Sequence, residues 1–138
     1  MNDIEIGKSF EFSNTFTNDD VFAFAEITKD DNPIHINDSY ASNSIFGKRV
    51  VHGILVISMF SKIFGTIYPG NGGIYLSQTA KFLMPVFINE EILAKVTLRN
   101  FDYSKNRGTF ITECFNSKGD LVLTGEAKIL FPQQIKMK

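Results

Sequence analysis

The run GILVISMFSKIFGTI, residues 53–67, decides the fold. Its polar interruptions are Ser58, Ser61, Lys62 and Thr66. A membrane-spanning helix wants about 20 apolar residues, and a lysine near the middle of one costs a few kcal/mol. This run is shorter and carries Lys62, so it reads as a helix greasy on nearly all sides and wrapped by protein. The rest of the chain then has to supply the apolar surface that covers it.

Downstream, Tyr68-Pro-Gly-Asn-Gly-Gly73 ends the helix and forces a turn. From there the chain reads as β-structure. IYLSQTAKFL, residues 74–83, is expected to form one strand. In the next, Ile92, Ala94, Val96 and Leu98 alternate with Leu93, Lys95, Thr97 and Arg99, the period-2 pattern of a half-buried strand. Asn106-Arg-Gly108 and Ser117-Lys-Gly-Asp120 are expected hairpin turns. The last strand, LVLTGEAKILF, puts Leu121, Leu123, Ala127, Ile129 and Phe131 on one side, with Gly125 marking a bulge or a close approach.

Upstream, residues 5–16 suit a strand. Thr17 or Asn18 can cap a helix over DDVFAFAEIT, with Asp19 and Asp20 favourable in its first turn. Val21, Phe24, Ala25 and Thr28 share one face of it. Pro33 stops this helix near Asp31, so DDNPIHIND reads as a loop, followed by a short helix over SYASNSIFG. One central helix with a curved antiparallel sheet around it buries every apolar surface named, an α+β arrangement.

Composition bounds the function. The chain has 138 residues, a length for one domain spanning 1–138, and carries a formal charge of -1, without the excess of Lys and Arg that non-specific nucleic-acid binding needs. At 43% hydrophobic and 21% charged it reads as a soluble globular protein, with no membrane partner expected. The single Cys114 can form neither an internal disulfide nor a Cys-based zinc site, and no secretory pattern opens the chain. A reducing cytoplasm is the simplest setting.

Two histidines, His35 and His52, are the only imidazoles. The loop before His35 carries Asp30 and Asp31, and a loop shaped by Pro33 can aim a carboxylate and an imidazole at one water. The same residues also suit an Asx-turn and a surface histidine. Which aspartate would serve is open on spacing alone. His52 and Gly53 stand where the buried helix begins. Free backbone N–H groups there, at the positive end of the helix, suit a developing oxyanion. Glycine also lets a ligand approach closely, although it equally leaves room for helix packing. Ser58 and Ser61 lack the strand–turn–helix setting of a nucleophile. No metal-ligand spacing, calcium loop or Gly-rich phosphate loop is present.

Three blocks carry a specific resemblance: FAEITKDDNPIHINDSYA, RVVHGILVISMFSKIFG and GIYLSQTAKFLMPVF, in this order. The first resembles the Ser/Thr-Gly-Asp-x-Asn-Pro-hydrophobe-His signature of the MaoC-like dehydratases, the (R)-specific enoyl-CoA hydratases. The second is similar to that family's Val-His-Gly segment, and the third to its Phe-x-x-Pro-Val strand. The short length is most similar to the hydratases that feed polyhydroxyalkanoate synthesis. The resemblance implies a hotdog fold, a long central helix wrapped by a curved antiparallel sheet, with an N-terminal helix and an overhanging active-site loop. It implies a homodimer and an acyl-CoA substrate, or one carried by acyl carrier protein, with no metal or redox cofactor.

Residue by residue, it assigns Asp30 and His35 as the catalytic pair and Asn32 as a shaper of the loop. Ser61 becomes a support of the pair, and Gly53 the backbone oxyanion donor. His52, Lys48, Arg49 and Lys81 are candidate substrate contacts, the cations by position. Lys29 departs from the signature, standing where glycine is usual, and fits if its φ stays negative. The implied reaction is reversible addition of water across the C2=C3 bond of a trans-2-enoyl-CoA, giving the (R)-3-hydroxyacyl-CoA. The alternatives are a hotdog acyl-thioesterase, which usually carries an acidic residue on the central helix, and a non-catalytic acyl-binding or regulatory hotdog protein. No acidic residue lies between His52 and Tyr68.

Overall fold

A computed structural model describes residues 4–133. The chain runs β1 (Ser9–Thr15), α1 (Asn18–Thr28), α2 (Pro33–Ile36), α3 (Asp38–Ser42), α4 (Gly53–Thr66), β2 (Ile74–Gln78), β3 (Lys81–Phe82), β4 (Glu91–Asp102), β5 (Arg107–Phe115) and β6 (Leu121–Leu130). All pairings in the sheet are antiparallel, in the order β1-β4-β5-β6-β2, with β3 also on β6. This is the expected hotdog arrangement: α4 packs on the sheet, and α1 to α3 precede it.

The alternation along β4 turns the sheet into one wall of the core. Ile92, Ala94, Val96 and Leu98 are fully buried, and facing them lie Val56, Met59, Phe60, Ile63 and Phe64 of α4. A register shift between Leu98 and Asn100 then moves Phe101 inward, where it meets Phe131 edge-on. With Phe64, Tyr68 and Phe110 these rings fill the core in a chain that has 14 Phe and no Trp. Each such ring removed from water contributes roughly 1.5–3 kcal/mol.

Four expectations change. α4 is covered on one side only, since Ile54, Ser58, Ser61, Lys62, Gly65 and Thr66 are exposed in the single chain. The loop after α1 holds a helical turn, α2, because Pro33 with its preset φ suits a first helical position and Asn32 accepts the Ile34 N–H at 3.2 Å. The β4–β5 turn falls at Tyr103–Asn106 rather than at 106–108, with Asn106 in the left-handed region at φ 57. Gly108 lies within β5, where an added methyl would stand 2.8 Å from the Phe131 ring.

The fourth is the strand expected over 74–83, which is broken in two. Thr79 and Ala80 lie directly over Gly125, where a methyl would meet Thr79 O at 1.9 Å. The break opens where Gly125 lets the backbone come close, and Gly125 is a close approach, with its own β5–β6 pairing to Thr112 in register.

Candidate active site

Asp30 is placed by the end of α1. Lys29 takes the left-handed conformation, φ 69, and its N–H bonds to Ala25 O at 2.9 Å. The negative φ expected there does not occur: the chain has to reverse at the C-cap, and glycine would do so without the strain lysine bears. Thr28 Oγ1 donates to Phe24 O at 2.7 Å and accepts the Asp30 N–H at 3.1 Å. Asp30 Oδ1 accepts the Asn32 N–H at 3.4 Å, an Asx-turn contact. Among the described residues no hydrogen bond engages its other oxygen.

His35 lies in the last turn of α2, half-buried. Its Nδ1 sits 2.7 Å from Val50 O. A carbonyl only accepts, so Nδ1 carries the proton and Nε2 of the neutral ring presents a lone pair. Val50 N–H returns a bond to Ile34 O at 3.3 Å, which locks α2 against the strand-like entry to α4.

His52, 2% exposed, is the N-cap residue of α4 but makes no side-chain cap. Its Nε2 donates to Asp30 O at 3.0 Å. Its ring stacks on His35 with centroids 3.8 Å apart and planes 26° from parallel, and Phe24 closes the other side edge-on at 4.7 Å. Among the described residues Nδ1 is buried without a partner. Burial holds this imidazole below its ordinary 6.5; the Asp30 carbonyl opposes the shift and neighbouring His35 adds to it. His52 is therefore buried and neutral, a role that position alone did not reveal. The signal in the sequence was its place directly before Gly53.

Asp30, His35 and His52 each offer a ligand atom, all within 4.8 Å of one another. Imidazole lone pairs lie in the ring plane, so those of two stacked rings run side by side and do not converge on one cation. The cluster is better shaped to hold a water between the Asp30 carboxylate and His35 Nε2. Gly53 opens α4, where the first N–H groups have no partner within the helix. The Phe82 ring lies against it: a methyl on Gly53 would stand 2.6 Å from Phe82 Cε1.

Beside His35 and Gly53 opens an apolar cavity of about 490 Å³ whose walls include Ile34, Phe82, Met84 and Val122. Ser61 is elsewhere. It lines an open groove with Phe24, Ile54 and Tyr75 on the exposed side of α4, and no described hydrogen bond joins it to Asp30 or His35. Arg49 is engaged within the chain, bonded to Asn18 Oδ1 and 3.3 Å from Asp38 Oδ1. Lys48 Nζ lies 4.4 Å from the Phe87 ring centre, and Lys81 is exposed on β3. Cys114 is buried with its thiol pushed up to about 12, which leaves it unreactive. No helix among the described residues is long and apolar enough to cross a membrane.

The model of the MaoC like domain matches residues 2–114. Over 94% of its length the chain is 36% identical to an (R)-specific enoyl-CoA hydratase of Aeromonas caviae, covering 96% of that protein. A solved structure of the (R)-hydratase from A. caviae involved in PHA biosynthesis superposes with a TM-score of 0.91, covering 94% of this chain and 98% of that one. A mitochondrial 3-hydroxyacyl-(acyl-carrier-protein) dehydratase of Solanum lycopersicum is also 36% identical, over 96% of this chain and 80% of its own length.

Proposed function

The chain belongs to the MaoC-like domain family, and from that premise we propose that it is an (R)-specific enoyl-CoA hydratase, a hydro-lyase acting reversibly on trans-2-enoyl thioesters. The observation that carries this reading is the pairing of an Asp30 carboxylate with His35, five residues apart in the chain and within 4.8 Å, beside Gly53 at the start of α4.

Hydration needs a base for water, a proton for C2, and a partner for the carbonyl oxygen as it gains enolate charge. A water between Asp30 and His35 is held from both sides. Asp30 takes one of its protons as the oxygen bonds to C3. Because Nδ1 of His35 is committed to Val50 O, Nε2 is the only nitrogen that can exchange a proton with the reacting groups. It takes up that proton from Asp30 and passes it to C2, so that one O–H bond and the C2=C3 π bond break while one C–O and one C–H bond form.

Acid–base steps of this kind contribute about 10²–10⁴-fold each. The Gly53 N–H meets the carbonyl oxygen at the positive end of α4, and losing one such donor costs about 3–4 kcal/mol. Asn32 holds the loop by capping α2. The apolar cavity beside Gly53 receives the acyl chain.

Of the cations considered for the CoA phosphates, Lys48 and Lys81 remain available, since Arg49 is tied to Asn18 and Asp38. Similarity to the tomato enzyme, whose name specifies acyl carrier protein, makes that carrier the second reading of the handle. We place the enzyme as a homodimer in the cytoplasm. The exposed half of α4 and the outer edge of β2, with Ile54, Ile74 and Leu76 exposed, offer a second copy an apolar face. Ser61 lies on that face, so any support it gives an Asp30–His35 pair requires the partner.

The test is hydration of crotonyl-CoA with chiral analysis of the product, with Asp30→Asn and His35→Ala alongside. The expected result is the (R)-3-hydroxy product, with turnover lowered by roughly 10²–10⁴-fold in each variant. Near-normal rates in either variant would overturn the assignment of the pair.

A further inference from the structure

We infer that His52 is a positioning residue of the hydratase site, a neutral imidazole that fixes the Asp30 main chain and the His35 ring and does not itself touch substrate. The inference rests on the hydratase reading for its kinetic consequence but not for its geometry.

Two contacts made by one ring, and the residue's place in the chain, carry it. The Nε2–H of His52 donates to Asp30 O at 3.0 Å, a bond across 22 residues. The opposite component of the pair, His35, lies flat on the same ring at 3.8 Å. The next residue along the chain is Gly53, which opens α4. Carboxylate, imidazole and oxyanion donor are thus referred to a single buried side chain. Asp30 needs such a reference. It is exposed, it follows a strained Lys29, and among the described residues its carboxylate meets only a long 3.4 Å contact from Asn32.

The ring is also in the right state. To donate to a carbonyl from Nε2 the neutral tautomer leaves Nδ1 unprotonated, and Nδ1 is buried with no partner. Protonating it would put an unpaired N–H in a buried setting and a positive charge against the His35 ring. The groups facing the ring are His35 of α2, the carbonyl and carboxylate of Asp30, and Phe24 of α1. Asp30 is the only one that would favour the charge. Because the ring is 2% exposed and is enclosed by Phe24 and His35, it is poorly placed to contact a thioester. This differs from the substrate contact its position suggests.

A small misplacement of a catalytic group can cost about 10²-fold. Two variants separate the contacts. His52→Phe keeps a ring on His35 and loses the donor to Asp30 O; His52→Gln keeps an amide donor and loses the ring. On crotonyl-CoA, with rates expressed per folded molecule, His52→Phe is expected to lower kcat by about 10–100-fold with KM changed less than about threefold. His52→Gln is expected to recover part of that loss.

Imidazole ¹⁵N spectra of the wild-type chain give a readout independent of activity. They are expected to show His52 as the Nε2–H tautomer, with its protonation displaced to lower pH than a free imidazole's, and His35 with its proton on Nδ1. A kcat within about twofold of wild type in His52→Phe, a rise in KM at constant kcat, or an Nδ1–H tautomer for His52 would each overturn the inference. If the wild-type chain hydrates no enoyl thioester, the hydratase reading fails by itself, and the spectra still decide whether His52 clamps the loop.

Discussion

Gly125→Ala tests how the sheet and the site are joined. The methyl would stand 1.9 Å from Thr79 O and 2.8 Å from Thr79 C. Those are backbone atoms, so no rotamer relieves them; the chain at 79–80 has to move outward by more than about 1 Å. That displacement takes two bonds out of range, Thr79 N–H to Glu126 O at 2.9 Å and Glu126 N–H to Thr79 Oγ1 at 3.0 Å. Each is worth about 1 kcal/mol, and overpacking strain adds about 1–3 kcal/mol. The expected loss is about 3–5 kcal/mol, a large part of an ordinary domain's stability. Urea unfolding with unchanged m measures it. Gly65→Ala is the control: nothing lies within 4 Å of its added methyl, so it gains about 0.5–1 kcal/mol of helix stability. The segment at 79–82 also carries Phe82 onto Gly53, so KM for the enoyl thioester should rise in Gly125→Ala at temperatures where the chain remains folded. A Gly125→Ala loss below about 1 kcal/mol, or an equal loss in Gly65→Ala, would refute the reasoning.

Lys29→Gly should stabilise the chain by about 0.5–1 kcal/mol, read in urea, because the strain of a left-handed lysine exceeds the extra entropy glycine loses on folding. Gly53→Ala should leave stability within about 1 kcal/mol, since the exposed Phe82 ring can swing away, while kcat/KM falls at least about tenfold as the methyl enters the approach to the N–H. The pH dependence of stability follows from His52. Its native value lies below the 6.5 of the unfolded chain, so between the two the unfolded chain binds the proton and the native one does not. Stability from this group is present above about pH 6.5 and is lost as pH falls toward the native value, at up to about 1.4 kcal/mol per pH unit. Melting curves from pH 7.5 to 5 should therefore fall more steeply for wild type than for His52→Gln; parallel curves would contradict a buried neutral imidazole.

The fold was legible where one periodicity governed a whole element. Alternation along β4 names its buried side chains because a strand face is either core or solvent. It was less legible where local pattern and tertiary context disagree. GILVISMFSKIFGTI is apolar enough to suggest burial all round, yet one chain covers only the stripe from Val56 to Phe64, and the remaining side is left for another surface. The break at Thr79–Ala80 has no local signal at all: its cause, Gly125, lies on another strand, and the residues between look like continuous strand. Gly108 resembled a turn residue for the opposite reason, since a glycine required by the Phe131 ring and one required by backbone angles are the same letter.

The site divides along the same line. Residue types and spacing pointed to a carboxylate and an imidazole in one loop, but left open whether Asp30 closes an Asx-turn or serves as a base. These are not rivals. The turn uses Oδ1 alone, and it holds the side chain where a carboxylate oxygen lies within 4.8 Å of a ring nitrogen of His35. A carboxylate anchored through one oxygen keeps the lone pairs of the other available to water. The bland role is thus what makes the chemical role possible. Lys29 fits this account: the loop tolerates a strained residue directly before Asp30 because Thr28, Asn32 and His52 hold Asp30 from three separate elements of the chain.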